Sequence, residues 1–223
     1  MDHESKKPSL AEDLARIHRV ITRGLEVSIM HGEEFIQQGF PDAGVQKGYT
    51  DYVQSLVTVL DAHHTTEDEL AFPFFMEKIP DAPYSRLAAE HDEMDQILVK
   101  SGEKLKELSG EKSAQMLTLL VSLLQRLSAI WLRHIGVEEI HFDEQAINSI
   151  MGPEEQGKMS GMMAKHSMDM SPQPFLTVPF ILFNLAPADR AAMTANMPPV
   201  LVNQLVPVDW KEQWAPMKPF LLD

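Results

Sequence analysis

The chain contains no cysteine. That absence removes disulfides, thiolate metal sites, iron–sulfur clusters and cysteine nucleophiles together. Any metal must therefore rest on nitrogen and oxygen ligands. Positive charge is scarce: 19 Lys and Arg stand against 33 Asp and Glu, for a formal net charge of -14. Nucleic acids and anionic membrane surfaces are bound through a cationic footprint, so this balance argues against both. Long apolar runs are also missing. The longest, Phe175 to Ala186, is interrupted by Pro179 and Asn184 and falls short of the roughly 20 residues a membrane helix needs. The opening MDHESKKPSLAEDLARIHRV has no apolar core of signal-peptide length. The expectation is a soluble, cytoplasmic protein.

What is present is ordinary for a globular chain. Of 223 residues, 44% are apolar and 23% charged, which suits one domain with an extension or two small ones. Proline marks a division. Five of the 15 prolines precede Pro153 and nine follow it. Residues 1–153 are expected to form the main domain, and residues 154–223 an extension of short helices broken by proline. In the extension, Asp189 to Met197 and Pro199 to Leu205 are candidate helices. Its Phe175, Phe180, Ile181, Phe183, Trp210, Trp214 and Phe220 would cap the main domain or form a homodimer surface.

The first 153 residues show four stretches of helical periodicity. The first runs from Ser9, an N-cap with Glu12 three residues on, to Gln38, and stops at Gly39-Phe40-Pro41-Asp42. The second starts near Val45, with a kink or break expected at Pro73, and closes at Pro80. The third starts at Ala82-Pro83 with Asp81 as its cap and ends at Ser109-Gly110. The fourth starts near Ser113. Long amphipathic helices with short connections predict an all-α fold, an antiparallel up-down-up-down four-helix bundle.

The apolar seams carry polar residues. In the fourth stretch the stripe 117, 120, 124, 127, 131, 134, 138, 141 ends in His134, Glu138 and His141. In the second, the stripe 53, 56, 60, 63, 67, 70, 74 includes His63 and Glu67. His91 lies on the third seam and His18 on the first. Residues four apart share a helix face, so a His-x-x-x-Glu pair can hold one metal or set its Glu between two. Counted from the helix ends at a rise of roughly 1.5 Å per residue, these groups lie at similar depth. Burying them without partners costs about 1–3 kcal/mol for each unsatisfied group, and an unpaired ionised carboxylate costs more. Metal ligation removes that cost.

Taken together, His18, His63-His64-Thr65-Thr66-Glu67, His91 and His134-Ile135-Gly136-Val137-Glu138 resemble the H–HxxxE–H–HxxxE signature of the hemerythrin-like, HHE cation-binding family. The Phe72-Pro73 that follows Glu67 is similar to the same family motif. The resemblance spans roughly residues 10–150. It implies a non-haem di-iron centre: His18, His63, His91 and His134 as terminal ligands, Glu67 and Glu138 as bridging or chelating carboxylates, and an oxo or hydroxo bridge. Zinc, manganese or nickel also suit such ligands. The family's invertebrate oxygen carriers have a second histidine one turn beyond the ligand on helix three, where this chain has Asp95. That departure favours reaction with dioxygen, peroxide or nitric oxide over simple oxygen storage.

Several positions stay open at this point. Asp95 is a partner for a histidine nitrogen, a solvated residue or a ligand. His64, paired with Asp68, competes with His63. His141 is at the rim or supports the site. His3, His31 and His166 are surface residues. Glu138-Glu139-Ile140-His141 spells the Glu-x-x-His of ferritin-like di-iron proteins, but only once, where two are needed. The methionines at 159, 162, 163, 168 and 170 suit packing better than copper. The functional expectation is a di-iron protein that binds or senses dioxygen, peroxide or nitric oxide. The alternatives are a redox enzyme with catalase-like peroxide activity and a metal-stabilised interaction protein.

Overall fold

A computed structural model of the chain describes residues 9–108, 110 and 113–222. These residues are all-helical, with no strand among them. Four long helices carry the site: α1 (Leu10–Gln38), α2 (Ala43–Thr66), α4 (Tyr84–Glu107) and α5 (Ser113–His141). The short α3 (Phe72–Lys78) continues α2 through a π-helical turn, Glu67–Ala71. After α5 come α6 (Glu144–Ile150), α7 (Pro153–Asp169), α8 (Pro174–Phe183) and α9 (Pro187–Thr194). A second π segment (Leu201–Asp209), α10 (Lys211–Trp214) and a 3-10 segment (Ala215–Phe220) end the described chain.

The local signals act as the sequence suggests at α1. The Ser9 side chain accepts the Glu12 N–H, and Gly39 ends the helix at φ +76°, where a side chain would be strained. Two details differ. At α4 the N-cap position is Pro83, not Asp81, and no side chain caps it. At Pro73 the helix neither breaks nor simply kinks. Proline lacks the N–H for an i→i−4 bond, and the chain widens into a π turn, with the Phe72 N–H bonded to the Glu67 carbonyl. The extra residue rotates the buried face. Ala71, Phe72 and Phe75 are buried, where the regular stripe placed Leu70 and Phe74, which are half-exposed.

Helices α1 and α5 pack together, as do α5 and α4, α4 and α2, and α2 and α1. Two apolar clusters lie along them. The larger holds Ile21, Leu25, Leu56, Leu60, Met94, Leu98, Leu120, Leu124 and Trp131. The smaller holds Leu10, Ala71, Phe72, Phe75, Leu87 and Phe142, with Leu14 against it. Between them each helix contributes polar residues: His18 between Leu14 and Ile21, His63 and Glu67 between Leu60 and Ala71, His91 between Leu87 and Met94, His134 and Glu138 between Trp131 and Phe142. The chemistry thus occupies a polar layer closed above and below by hydrocarbon.

The residues after 153 join this core. The 3-10 segment, α8 and α7 all pack on α2, and Leu176, Phe180, Trp214, Met217 and Phe220 belong to the larger cluster. The Tyr52 hydroxyl donates to Asn184 Oδ1 at 2.6 Å, and Leu222 N–H to the Phe183 carbonyl at 2.7 Å. Met159 and Met163 are buried in the smaller cluster, which is packing. The expected helices at 189–197 and 199–205 emerge as α9 and the second π segment, while α7 is longer than a short-helix extension suggests. By length and composition α5 could cross a membrane, a feature that a search for uninterrupted apolar runs passes over. Its Leu117–Trp131 seam is buried between α1 and α4, as in the core helix of a folded domain.

Candidate metal centre

The six residues that the family resemblance implied as ligands converge in the polar layer; His141, the seventh polar residue of the seams, does not. His18, His63, Glu67 and Glu138 form one group, and Glu67, His91, His134 and Glu138 a second; within each, the donor atoms lie within 4.8 Å of one another. The two carboxylates belong to both groups, and every member is buried. His18 Nε2 is 3.4 Å from Glu138 Oε2, and His134 Nε2 is 3.2 Å from Glu138 Oε1. Glu67 Oε2 is 3.4 Å from His63 Nε2 and 3.6 Å from His91 Nε2.

A ring of carboxylates fixes which nitrogen faces inward. His18 Nδ1 lies 3.0 Å from Glu139 Oε1, His91 Nδ1 3.0 Å from Asp68 Oδ1, and His134 Nδ1 3.1 Å from Glu90 Oε2. A carboxylate only accepts, so each Nδ1 donates, and Nε2 is the atom each ring turns to the centre. Each of these acids is next in sequence to a site residue, yet serves a histidine on another helix. That adjacency is the one sequence signal that could have found them.

The inward atoms are poorly satisfied by one another. His18 Nε2, His63 Nε2, Glu67 Oε2 and both Glu138 oxygens are buried without a hydrogen bond. His91 Nε2 and His134 Nε2 face each other at 3.0 Å. Two lone pairs at that distance repel unless a proton or a cation lies between them. Two nitrogens bound at right angles to one ion, each about 2.1 Å from it, would also stand about 3 Å apart. The donor set and its orphaned atoms fit metal ions.

The electrostatics follow from burial and pairing. Burial opposes charge on His18, but Glu138 and Glu139 outweigh it and raise its pKa to about 8. His63 is pushed well below the usual histidine range by burial and by His18. Glu67 is pushed well above the carboxylate range by burial, with Glu138 and Asp68 adding to it. Glu138 is buried too, yet His134 and His18 hold it well below that range. Displacing protons from this cluster is part of loading it with metal.

A small cavity opens beside the first group. It has about 20 Å³ of free volume and is lined by His18, Glu67, Glu138, Glu139 and the apolar Ala11, Leu14, Ala15, Ala71, Phe72, Phe75 and Phe142. That is room for one water-sized molecule, with polar atoms at one end and hydrocarbon around the rest.

The remaining histidines divide. His64 is buried and pairs through Nδ1 with Asp95 Oδ1 at 2.9 Å, not with Asp68. Burial, then His91 and His134, push it well below the usual range. Asp95 therefore partners a histidine nitrogen. His141 bonds the Val137 carbonyl of its own helix at 2.8 Å, at the rim. His31 is half-exposed beside Glu34, Phe35 and Phe220. His166 is not a free surface group: it contacts Thr66 at 3.0 Å and Glu69 at 2.9 Å, tying α7 to the π turn. His3 lies outside the described residues.

No curated protein and no solved structure matches the chain significantly. The family model for the hemerythrin HHE cation binding domain matches residues 9–143, from the Ser9 cap of α1 to just beyond α5. The match covers more than half of the chain and all six converging residues, and the chain belongs to the hemerythrin HHE cation-binding family.

Proposed function

We propose that the protein holds two iron ions, one in each donor group, and uses them to bind or sense a small molecule: dioxygen, peroxide or nitric oxide. The observation that carries this is the pair of four-donor groups sharing Glu67 and Glu138. Two shared carboxylates suit two cations a few ångströms apart, since each bridges its charge to both. His18 and His63 serve one ion, His91 and His134 the other. The helices fit an antiparallel up-down-up-down bundle: the smaller apolar cluster gathers the start of α1, the end of α2 with α3, the start of α4 and the end of α5.

An iron pair supplies reversible one- and two-electron chemistry toward such ligands. The chain's own residues set the conditions. Glu139, Asp68 and Glu90 hold the His18, His91 and His134 rings with Nε2 turned to the centre. Phe72, Phe75 and Phe142 line the cavity with hydrocarbon. The free volume beside the first group is that of about one water-sized molecule, which suits a small ligand.

Elemental mass spectrometry on protein expressed with iron supplied tests the reading. Two irons per chain are expected, and zero, or one zinc in a folded chain, would overturn it. Filling the cavity with Ala11→Leu should leave the metal content unchanged and slow nitric oxide binding at least tenfold. Catalytic release of oxygen from excess peroxide would move the assignment to a catalase-like enzyme; reaction that stops after one equivalent supports binding.

A further inference from the structure

We propose that His64 supplies a third nitrogen, its Nε2, to the ion held by Glu67, His91, His134 and Glu138, with Asp95 holding the ring for it. The inference rests on the two-ion reading above and adds a ligand to it.

Four observations lead here. His64 is 1% exposed, and its Nδ1 meets a carboxylate at 2.9 Å, as the Nδ1 atoms of His18, His91 and His134 do. Its Nε2 is buried without a hydrogen bond, the state shared by His18 and His63. A histidine placed only for packing tends to satisfy both nitrogens; this one commits Nδ1 and leaves a lone pair on Nε2 in a dry interior. The ring also stands on the correct side. It stacks on His91, centroids 4.2 Å apart and planes 18° apart, and lies 6.0 Å from His134. Finally, both rings have their Nδ1 drawn outward by half-exposed acids, Asp95 and Asp68, so the stacked pair turn their Nε2 atoms inward together.

The arrangement gives Asp95 a purpose. Asp95 stands one turn beyond His91 on α4, and it reaches across to a histidine of α2 rather than offering itself to the centre. His64 is not among the donors that already lie within 4.8 Å of one another, so it is recruited as the ion binds. The result would be an asymmetric pair. Three histidines, His64, His91 and His134, would hold one ion and two, His18 and His63, the other, whose donor group borders the cavity.

The test is a competition titration of the full-length, chelator-stripped protein with Zn²⁺ against a chromophoric chelator, repeated with Co²⁺ for its visible spectrum. Wild type, His64→Ala, Asp95→Asn and, as a control, His31→Ala are compared. His64→Ala should still take up two ions, one of them bound at least a hundredfold more weakly, and its Co²⁺ bands should shift. Asp95→Asn should weaken the same ion about ten- to hundredfold, as is usual for a group that orients a metal-bound histidine. His31→Ala should match wild type. Melting of the metal-free form, followed by circular dichroism, should be unchanged or raised in His64→Ala. Wild-type affinity and Co²⁺ spectra in both variants would overturn the proposal while leaving the two-ion reading intact. Should His64→Ala not fold, Asp95→Asn decides by itself. A wild-type protein that binds no second ion refutes the two-ion reading instead.

Discussion

Acid should empty the centre, and His18 sets the range over which it does so. Its ring is 3% exposed, with Glu139 at Nδ1 and Glu138 at Nε2, 3.0 and 3.4 Å away. Burial works against its charge, yet the two acids raise its pKa from 6.5 to about 8. A metal ion at Nε2 must displace that proton. The sign is therefore definite: below the raised pKa the proton competes and apparent affinity falls; above it the competition ends. For one competing proton the loss is about twofold at pH 8, roughly tenfold at pH 7 and on the order of a hundredfold at pH 6. Burial, with Glu138 beside it, pushes Glu67 well above the carboxylate range, the same direction as the shift at His18, while Glu138 and His63 are held well below their usual ranges. Chelator competition with Zn²⁺ from pH 6 to 8.5 measures the slope, and calorimetry in two buffers of different ionisation enthalpy counts the protons released. Glu139→Gln removes one of the two acids that raise His18 and should flatten the profile. Affinity that changes less than threefold between pH 6 and pH 8 would refute the reasoning, as would an unaltered slope in Glu139→Gln.

Three further outcomes follow from the geometry. Because Glu138 belongs to both donor groups and His18 to one, Glu138→Ala should retain less than one iron per chain by elemental analysis, whereas His18→Ala should retain about one. At Gly48 a Cβ would lie 2.0 Å from the Pro216 carbonyl oxygen and 2.7 Å from its carbon; these are backbone atoms, so Gly48→Ala should push the 3-10 segment off α2, cost about 1–3 kcal/mol or more and lower Tm by several degrees in a thermal melt. Trp131 stands 5.5 and 5.6 Å from the His18 and His63 rings; loading with an open-shell ion should quench its fluorescence, and Trp131→Phe should abolish most of that quenching.

Much of the scaffold is legible in the sequence alone. α1 and α5 begin where Ser9 and the 113 region indicate, because a 3.6-residue apolar period bounded by a cap or a glycine is local information. The six donors were legible for the same reason: each interrupts a run of core residues at a seam position, and a seam faces the core whatever else the chain does. The stripe failed past Glu67, where Pro73 opened a π turn and moved burial from Leu70 and Phe74 to Ala71, Phe72 and Phe75. Proline announces that the ladder is interrupted, but local sequence does not say whether a helix answers by breaking, bending or widening. Packing of the phenylalanines against the smaller cluster decides it.

What the sequence determined by itself was the set of inward-facing donors and the helices that bear them. What only the tertiary structure decided was the set of partnerships around them: Glu139 with His18, Asp68 with His91, Glu90 with His134, Asp95 with His64, and the C-terminal segments laid over α2. The reason is geometric. Neighbouring residues on a helix leave its axis about 100° apart, so an acid beside a donor cannot serve that donor and must reach the next helix. Which helix stands there is fixed by how the four pack, and no local pattern records it.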